Sequence, residues 1–292
     1  MNKVVIIYGP TAVGKSSIAI ELAKQIDGEI ISADSMQIYK HLNIGSAKVS
    51  LQDMQGIKHH LIDIKEPYED YSVSDFCEDA KKAIKDILSR KKTPIIVGGT
   101  GLYIKALTEG FGFGCKRDES KTNQLSNLSI EELYKRIIQL DKNCDIDKSN
   151  KRRLIRRLEL LQNKISVKNK GFEYPYVLFG IVDDRTKIYE RINNRVDEMV
   201  DMGLLEEAEY LFNFNNPNLL AMKAIGYKEF IPYFNGTMTL NQCKDILKQK
   251  TRNYAKRQFT FLNQFKNINL ISFNGIIETA NKIKNTLENN NG

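Results

Sequence analysis

The chain has 292 residues, and its 44 lysines and arginines outnumber its 36 aspartates and glutamates, which gives a formal net charge of +8. Apolar residues make up 41% and charged residues 27%, a balance typical of a globular protein that excludes a largely disordered chain. No apolar run approaches the roughly 18 residues of a membrane-spanning helix, and the N-terminus lacks the pattern of a secretory signal. We therefore expect a cytoplasmic protein, and nothing in the sequence requires more than a monomer.

The four cysteines are far apart and form neither a CxxC pair nor a metal-ligand spacing. They are Cys77, Cys115, Cys144 and Cys243. This usage predicts free, buried thiols in a reducing compartment.

A β-branched strand is predicted from Lys3 to Tyr8, and a helix from Ser16 to Ile26. The sequence between them, GPTAVGKS, fits the pattern G-x-x-x-x-G-K-[ST] in the strand–loop–helix context that a phosphate-binding P-loop requires. Backbone N–H groups of such a loop close around phosphate oxygens, its lysine neutralises an outer phosphate, and its serine can hold Mg²⁺. This motif predicts phosphate or diphosphate binding, without implying ATP hydrolysis, by Gly9, Pro10, Thr11, Ala12, Val13, Gly14, Lys15 and Ser16.

A second predicted strand, Glu29 to Ala33, leads into the segment DSMQIY, which begins at Asp34. Loops at the carboxyl ends of parallel strands line the ligand crevice of open α/β sheets. A carboxylate there can accept a proton, hydrogen-bond an amine or reach a metal, and it can equally be a helix cap. Asp34 is therefore a candidate catalytic residue, with helix capping as the alternative.

A third strand, Thr93 to Val97, is predicted after an amphipathic helix from about Ser74 to Ser89, and it leads into the segment GGTGLY. Its glycines allow a ligand to approach the backbone closely, and Thr100 offers a hydroxyl. A plain tight turn before a helix explains these residues about as well. The neighbouring histidines His59 and His60 are expected to be structural.

The positive charge is concentrated in two segments. Residues 148–170 hold nine basic side chains against one acidic one, and residues 244–266 hold seven against one, so the remainder is net acidic. In the first segment Leu154, Ile155 and Leu158 recur at helical spacing, which leaves the arginines largely off the apolar stripe. Two basic surfaces fit a polyanion, most simply nucleic acid. A solvated helix face is the alternative for either segment alone.

A further strand is predicted from Tyr176 to Val182, and the chain after Asp183 has an almost wholly helical pattern. Strands that alternate with helices imply an α/β fold with a parallel sheet covered on both faces. We predict a P-loop NTPase-like core in residues 1–115, a small all-helical basic insertion in residues 116–171, and core completion with C-terminal helices in residues 172–292.

Taken together and in order, eight motifs resemble those of the tRNA dimethylallyltransferases, the isopentenyl or IPP transferase family. They are GPTAVGKS, DSMQIY, HHLID, YSVSDF, VGGTGLYIKAL, RRLE, AIGYKE and TRNYAKRQFTF. The resemblance covers nearly the whole chain. Apart from the P-loop, it is the combination that is specific, not any single motif.

This resemblance implies an enzyme that transfers a dimethylallyl group from dimethylallyl diphosphate to N6 of adenine 37 in the anticodon loop of tRNA. The P-loop would bind the donor's diphosphate with Mg²⁺, and Lys15, Ser16 and Lys228 would stabilise the leaving group. Asp34 would act as general base, and Thr100 would contact the oxygen that bridges the prenyl carbon and the diphosphate. The implied tRNA contacts are Asp34, Ser35, Met36, Gln37, Thr100, Lys121, Arg152, Arg153, Leu154, Ile155 and Arg156.

The sequence departs from the family pattern at a few positions. Phe261 and Asn263 stand where the family commonly has a tryptophan and an arginine, and stacking by Phe261 on RNA could replace the tryptophan. Arg157 is an additional arginine in the basic helix. Lys121 aligns only loosely with a family arginine.

Three other functions share part of this pattern. A P-loop kinase would bind ATP in the loop but would leave the two basic segments unexplained. An adenylate isopentenyltransferase would prenylate free nucleotide, for which a basic insertion is unnecessary. A non-catalytic RNA-binding module would not need Asp34 and Thr100 at the crevice.

Overall fold

The computed structural model describes residues 3–114, 119–163 and 169–289, and within them six strands form one parallel sheet in the order β3-β2-β4-β1-β5-β6. The strands are Val4–Tyr8 (β1), Gly28–Ser32 (β2), His59–His60 (β3), Thr93–Gly98 (β4), Tyr176–Val182 (β5) and Ile268–Ser272 (β6). This architecture confirms the predicted α/β class with a parallel sheet.

The three central strands β1, β2 and β4 are buried along their whole length. Their continuous runs of valine and isoleucine are typical of parallel strands that are covered on both faces. The edge strand β6 was not predicted, since the chain after Asp183 was expected to be almost wholly helical. Leu270 in this strand is 61% exposed, so the local pattern lacks a buried run, and pairing with β5 determines the extended conformation.

Helices lie between the strands and continue after β5. In chain order they are Lys15–Gln25 (α1), Val73–Ser89 (α2), Gly101–Thr108 (α3), Glu119–Ser126 (α4), Ile130–Leu140 (α5), Lys151–Gln162 (α6), Arg185–Asp201 (α7), Leu204–Phe212 (α8), Ile231–Phe234 (α9), Leu240–Leu262 (α10) and Ile276–Asn289 (α11), with a 3₁₀ helix at Lys228–Phe230. Capping boxes begin α2 at Ser72 and α10 at Thr239, where they satisfy N–H groups that a helix start leaves unpaired. Among the described residues, no helix has the length and hydropathy needed to span a membrane.

The chain divides into two compact units, residues 1–106 with 173–292 and residues 107–172. The first contains the sheet, whose core includes Val5, Ile7, Ile18 and Phe179. The second unit begins at Leu107, whereas the sequence predicted a boundary at Lys116. In this unit α4, α5 and α6 pack around a core of their own. That core consists of Leu125, Leu133, Ile137, Leu154, Ile155 and Leu158.

The thiols of Cys77, Cys144 and Cys243 are free, and Cys77 and Cys243 are buried. Cys115, Lys164 and Lys168, which the sequence analysis counted among thiols and basic residues, lie outside the described part of the chain. The expectation of free thiols therefore holds for the three cysteines that are described.

A buried carboxylate ties together three elements at the amino end of β2. Glu29 accepts hydrogen bonds from both terminal nitrogens of Arg90, and its Oε2 lies 2.8 Å from His60 Nε2. Lys92 Nζ lies 3.7 Å from its other oxygen. The hydrogen bonds from Arg90, reinforced by His60, outweigh the effect of burial and lower the pKa of Glu29 to about 2.

Replacing Glu29 by Gln should lower the free energy of unfolding at pH 7 by about 1–3 kcal/mol, because it removes a charged hydrogen-bond acceptor from a buried cluster. A pKa that falls on folding stabilises the protein above the unfolded value, so the difference from wild type should shrink as pH falls from about 4.5 towards about 2. Urea unfolding measured between pH 7 and pH 3 gives both quantities.

The matched control is Glu78→Gln on the exposed face of α2. It makes the same chemical change and should alter the unfolding free energy little at any pH. Equal behaviour of the two variants would show that the Glu29 cluster does not stabilise the fold.

Candidate active site

The P-loop lies between β1 and α1. A Cβ on Gly9 would lie 2.6 Å from the carbonyl oxygen of Ile181, so only glycine fits where the loop leaves the sheet. Ala12 and Gly14 have φ of 62° and 92°, which turns the backbone into the left-handed region. No side chain caps the start of α1 at Gly14, so its first N–H groups face the loop, an arrangement that favours an anion.

Asp34 and the Gly98-Gly99-Thr100 turn follow neighbouring strands and meet beside the P-loop. The Ala33 N–H donates to the Val97 carbonyl at 2.8 Å, the Thr100 N–H donates to the Ala33 carbonyl at 3.3 Å, and the Ser35 N–H donates to the Thr100 hydroxyl at 3.3 Å. A Cβ on Gly98 would lie 2.2 Å from the Ala33 carbonyl oxygen, so a side chain there would push the two turns apart.

A polar cavity of about 120 Å³ lies where these turns meet. Five P-loop residues line it, together with the carboxyl group of Asp34, the hydroxyl of Ser32 and the guanidinium of Arg195. The P-loop residues are Thr11, Ala12, Gly14, Lys15 and Ser16. The other three P-loop residues, Gly9, Pro10 and Val13, do not line the cavity. Val13 is fully buried, and the Pro10 carbonyl accepts a 2.6 Å hydrogen bond from Lys15 Nζ.

Burial opposes the charge of both ionisable groups at the centre of this cavity. It lowers the pKa of Lys15 to about 7, against the opposing effect of the Asp34 charge. It raises the pKa of Asp34, although the Met36 and Gln37 N–H groups and the Lys15 charge act the other way. Because Asp34 Oδ1 accepts from the Met36 N–H at 2.8 Å, the carboxyl group has a fixed orientation. The cavity thus holds a strengthened base beside a cation that an anionic ligand would keep protonated.

A second, larger cavity of about 360 Å³ adjoins the first and shares Thr11, Asp34, Arg195 and Tyr254 with it. Its walls are largely apolar, formed by Ile192, Val196, Met199, Leu220 and Leu247. Three cations, Arg195, Lys223 and Arg257, also line it. Asp34 therefore lies where a polar phosphate-type cavity meets an apolar one.

The Glu207 carboxylate on α8 holds one wall of both cavities in place. It accepts hydrogen bonds from the N–H groups of Asn43, Ile44 and Gly45 at 2.7–2.9 Å and from the Tyr227 hydroxyl at 2.8 Å. The next residues, Ser46 and Ala47, line both cavities. No local motif in the sequence indicated this role, because α8 and the loop are far apart in the chain.

The residues after β2 that were predicted to contact tRNA are divided between the two cavities. Ser35 and Met36 line the apolar cavity, whereas Gln37 lines the polar one and has its Oε1 bound to the Ser32 hydroxyl at 2.8 Å. Thr100 lies behind Ser35 and forms a side-chain hydrogen bond with Tyr254. His59, expected to be structural, also reaches the polar cavity, while burial lowers its pKa.

Lys228 does not lie where a diphosphate-binding role requires it. Its side chain is exposed, belongs to neither cavity lining, and donates a 3.1 Å hydrogen bond to the Lys223 carbonyl. Lys223 reaches the apolar cavity instead. The motif AIGYKE alone could not show this, because the tertiary structure around the 3₁₀ helix determines where the Lys228 side chain lies.

In the second unit, some of the predicted RNA-contacting residues are exposed and others are buried. Arg152 and Arg153 are exposed, and so is Lys121 on α4. Leu154 and Ile155 belong to the core of that unit, so an RNA contact at these two positions would have to come from their backbone. Other arginines of α6 have partners within the unit: Arg156 bonds Glu159 and the Phe113 carbonyl, and Arg157 bonds Asp141.

The second basic segment is partly neutralised by its own neighbours. Lys244 and Lys248 both form ion pairs with Asp197 at 2.9 and 2.7 Å. Phe261, considered as a stacking residue, packs with Tyr8 and Phe265 next to Gly101. The basic surface of this segment is therefore smaller than its composition suggests, and Phe261 belongs to an aromatic cluster.

Sequence reasoning missed Arg195, Tyr254 and Gln258 as cavity residues. Tyr254 and Gln258 lie within the motif TRNYAKRQFTF, which was therefore a usable signal. Arg195 has no motif of its own, and among the described residues no carboxylate lies within the 4 Å of an ion pair with its guanidinium. The residue is exposed overall, but partial desolvation of its guanidinium lowers its pKa, opposed by the charge of Glu198.

The oxygen donors of the polar cavity suit Mg²⁺ only when a ligand supplies further oxygen atoms. Among the residues described, no cluster of three or more His, Cys, Asp or Glu side chains could form a self-sufficient metal site. The Ser16 hydroxyl is a hard oxygen ligand, and Mg²⁺ commonly combines few protein ligands with water and substrate phosphates. The residues therefore fit Mg²⁺ that arrives with a phosphate ligand.

Comparison with known proteins gives concordant matches. Residues 37–265 match the IPP transferase family. The chain is 49% identical over 278 residues to the tRNA dimethylallyltransferase of Streptococcus pyogenes serotype M3 (strain SSI-1), covering 94% of this chain and 91% of that protein. These matches confirm the resemblance seen in the motifs.

Two solved structures are similar over most of the chain. The tRNA isopentenylpyrophosphate transferase of Bacillus halodurans is 38% identical with a TM-score of 0.77, covering 99% of this chain and 98% of that one. A eukaryotic dimethylallyltransferase acting on tRNA is 28% identical with a TM-score of 0.82, covering 93% and 74% of the two chains.

Replacing Arg195 by Gln should weaken the binding of inorganic diphosphate by about 10- to 100-fold, the usual value of one charged hydrogen bond. The reason is the removal of a cation that lines both cavities. Isothermal titration calorimetry gives the dissociation constant directly.

Arg185→Gln is the matched control, because Arg185 lies on the same helix, is exposed, and contacts the Phe259 ring away from the cavities. It should bind diphosphate like wild type. If both variants bound equally well, Arg195 would have no part in the anion site.

Proposed function

Because the chain belongs to the IPP transferase family, we propose that it transfers a dimethylallyl group from dimethylallyl diphosphate to N6 of adenine 37 in tRNA, releasing diphosphate. The observation that carries this proposal is the position of Asp34 between a polar P-loop cavity and a larger apolar one. The first suits a diphosphate. The second suits an apolar prenyl chain and the flat face of a purine ring, with polar side chains at its edge for the ring's nitrogen atoms.

The donor's diphosphate is bound by the P-loop. The first N–H groups of α1 face the phosphates, Lys15 and Arg195 compensate their charge, and Ser16 with the phosphates holds Mg²⁺. When bound, Mg²⁺ neutralises part of the charge that grows on the departing diphosphate. Lys15 enters the complex protonated, since two phosphate charges offset the burial that lowers its pKa.

Asp34 assists the nucleophile. The lone pair of the adenine amine is delocalised into the ring, so the amine is a weak nucleophile and gains from a base that takes its proton. As the N6–C1 bond forms and the C1–O bond breaks, the proton passes to the carboxylate. The raised pKa of Asp34 strengthens it for this step, which typically contributes about 10²–10⁴-fold in rate. The hydroxyl of Thr100 lies behind Ser35 and outside both cavity linings, so its contact with the bridging oxygen, which the family resemblance implies, would require a shift of this turn when substrate binds.

The adenine reaches Asp34 only after it leaves the stack of the anticodon loop, at a cost of a few kcal/mol. Ser35 and Met36 line the apolar cavity and form its receiving wall, with Gln37 behind them. The exposed cations Lys121, Arg152 and Arg153 contact the RNA backbone and contribute binding energy that offsets the extrusion.

The test is transfer of labelled dimethylallyl from its diphosphate to three acceptors, namely a tRNA with adenine 37, the same tRNA with guanine 37, and AMP. Label should appear only in the adenine tRNA, and Asp34→Asn should lower that rate at least about 100-fold while retaining most of the tRNA affinity. Labelled AMP would instead indicate a nucleotide-acting prenyltransferase. ATP consumption without prenyl transfer would indicate a kinase.

A double change of Arg152 and Arg153 to Ala should weaken the salt dependence of tRNA binding. The slope of log K against the logarithm of the salt concentration should become shallower by about 0.7–0.9 for each lost phosphate contact. Filter binding between 50 and 300 mM salt measures this slope. Lys135→Ala with Arg136→Ala on α5 removes the same charge from another exposed face of the unit. A slope equal to that of this control would show that α6 does not touch the RNA backbone.

A further inference from the structure

Gln258 lies on α10, is 4% exposed, and connects the two turns that form the polar cavity. Its side-chain Oε1 accepts a hydrogen bond from the Thr11 N–H at 2.8 Å, and its Nε2 donates to the Gly99 carbonyl at 2.9 Å. Its own main-chain carbonyl accepts a 3.0 Å hydrogen bond from the Tyr8 hydroxyl on β1. We propose that Gln258 is a positioning residue that fixes the separation between the P-loop and the Gly98-Gly99-Thr100 turn for prenyl transfer.

The two partners require a side chain that accepts at one end and donates at the other, which an amide does at every pH. The Thr11 N–H is a donor and the Gly99 carbonyl is an acceptor, so the bridging side chain must accept at one end and donate at the other. A carboxylate can only accept, and an apolar side chain does neither. One orientation of the Gln258 amide satisfies both partners, which fixes the assignment of its oxygen and nitrogen.

The packing leaves this bridge little freedom. A Cβ on Gly99 would lie 2.2 Å from Gln258 Nε2, so the turn approaches the amide as closely as a backbone can. The Thr11 N–H is also committed to the protein instead of to a phosphate oxygen. The anion-binding part of the loop therefore begins beyond Thr11, at a place that the bridge determines.

The two turns do different work in the proposed reaction, on which this inference rests. One holds the diphosphate through Lys15 and Ser16, and the other forms the opposite wall of the same cavity with Gly98 and Gly99, next to Asp34. A change in their separation leaves the diphosphate largely bound but misaligns the bond that breaks, and misplacement of this kind affects the transition state most. Loss of the bridge should therefore lower kcat more than it weakens diphosphate binding.

The experiment compares Gln258→Met and Gln258→Glu with wild type in the tRNA transfer assay between pH 5.5 and 8.5. The Met variant keeps the size but lacks both hydrogen bonds, and its kcat should fall by at least about tenfold at every pH, with a smaller change in the diphosphate dissociation constant. The Glu variant should be slow at high pH, where its carboxylate faces the Gly99 carbonyl. It should approach wild type as pH falls, because the protonated carboxyl group donates to that carbonyl.

Dividing the kcat of the variant by the kcat of wild type at each pH cancels the effect of the other titrating groups. Those that face the cavity come from several elements: Lys15 after β1, Asp34 after β2, His59 on β3, Arg195 on α7 and Tyr254 on α10. Gln249→Glu, on the exposed side of the same helix, makes the same change outside the cavities and should give a flat ratio.

A Met variant with wild-type kcat would overturn the proposal, since the bridge would then be dispensable. If that variant fails to fold by circular dichroism, the Glu variant decides, and a ratio that does not change with pH overturns the proposal equally. Transfer by wild type in the same assay tests the proposed function separately. Without such transfer, the separation between the Thr11 nitrogen and the Gly99 carbonyl oxygen in a crystal structure of the Met variant still reports on the bridge, and a separation equal to that of wild type counts against the proposal.

Discussion

Strand β4 pairs with β1 on one side and with β2 on the other, and the whole site depends on this arrangement. The P-loop follows β1, Asp34 follows β2, and the glycine turn follows β4, so three segments far apart in the chain meet at one edge of the sheet. Gly98 lies opposite Tyr8 in this register, and the close approach of its backbone to Ala33 needs the absence of a side chain. The sheet therefore determines which polar groups share a cavity.

Burial then determines how these groups behave. Lys15 and Asp34 are of opposite charge, but in both cases burial acts against the ionised form more strongly than the partner acts for it. A ligand with phosphate charges favours the protonated form of Lys15 and so offsets the effect of burial on it. The carboxyl group of Asp34 keeps a raised pKa and is therefore a stronger base. The adjoining cavity has largely apolar walls, and a low local polarity strengthens charge interactions at the junction.

The supports of the site come from the helices after β5. Glu207 on α8 organises the loop that closes one side, and Gln258 on α10 connects the two catalytic turns. Each satisfies main-chain groups that would otherwise be unpaired and would cost free energy when buried. The C-terminal helices thus complete a site whose reactive groups all come from the first hundred residues.

Much of this was determined by the sequence alone: the buried parallel strands from their runs of valine and isoleucine, the P-loop from its spacing, and the family from the order of its motifs. These features are local, because a hydrophobic run or a glycine spacing acts within its own segment. Only the tertiary structure decided that Lys228 lines neither cavity and that β6 is a strand. It also revealed Arg195, Glu207 and Gln258. Their roles depend on partners up to 250 residues away in the chain, and contacts at that separation exist only once the sheet has brought the segments together.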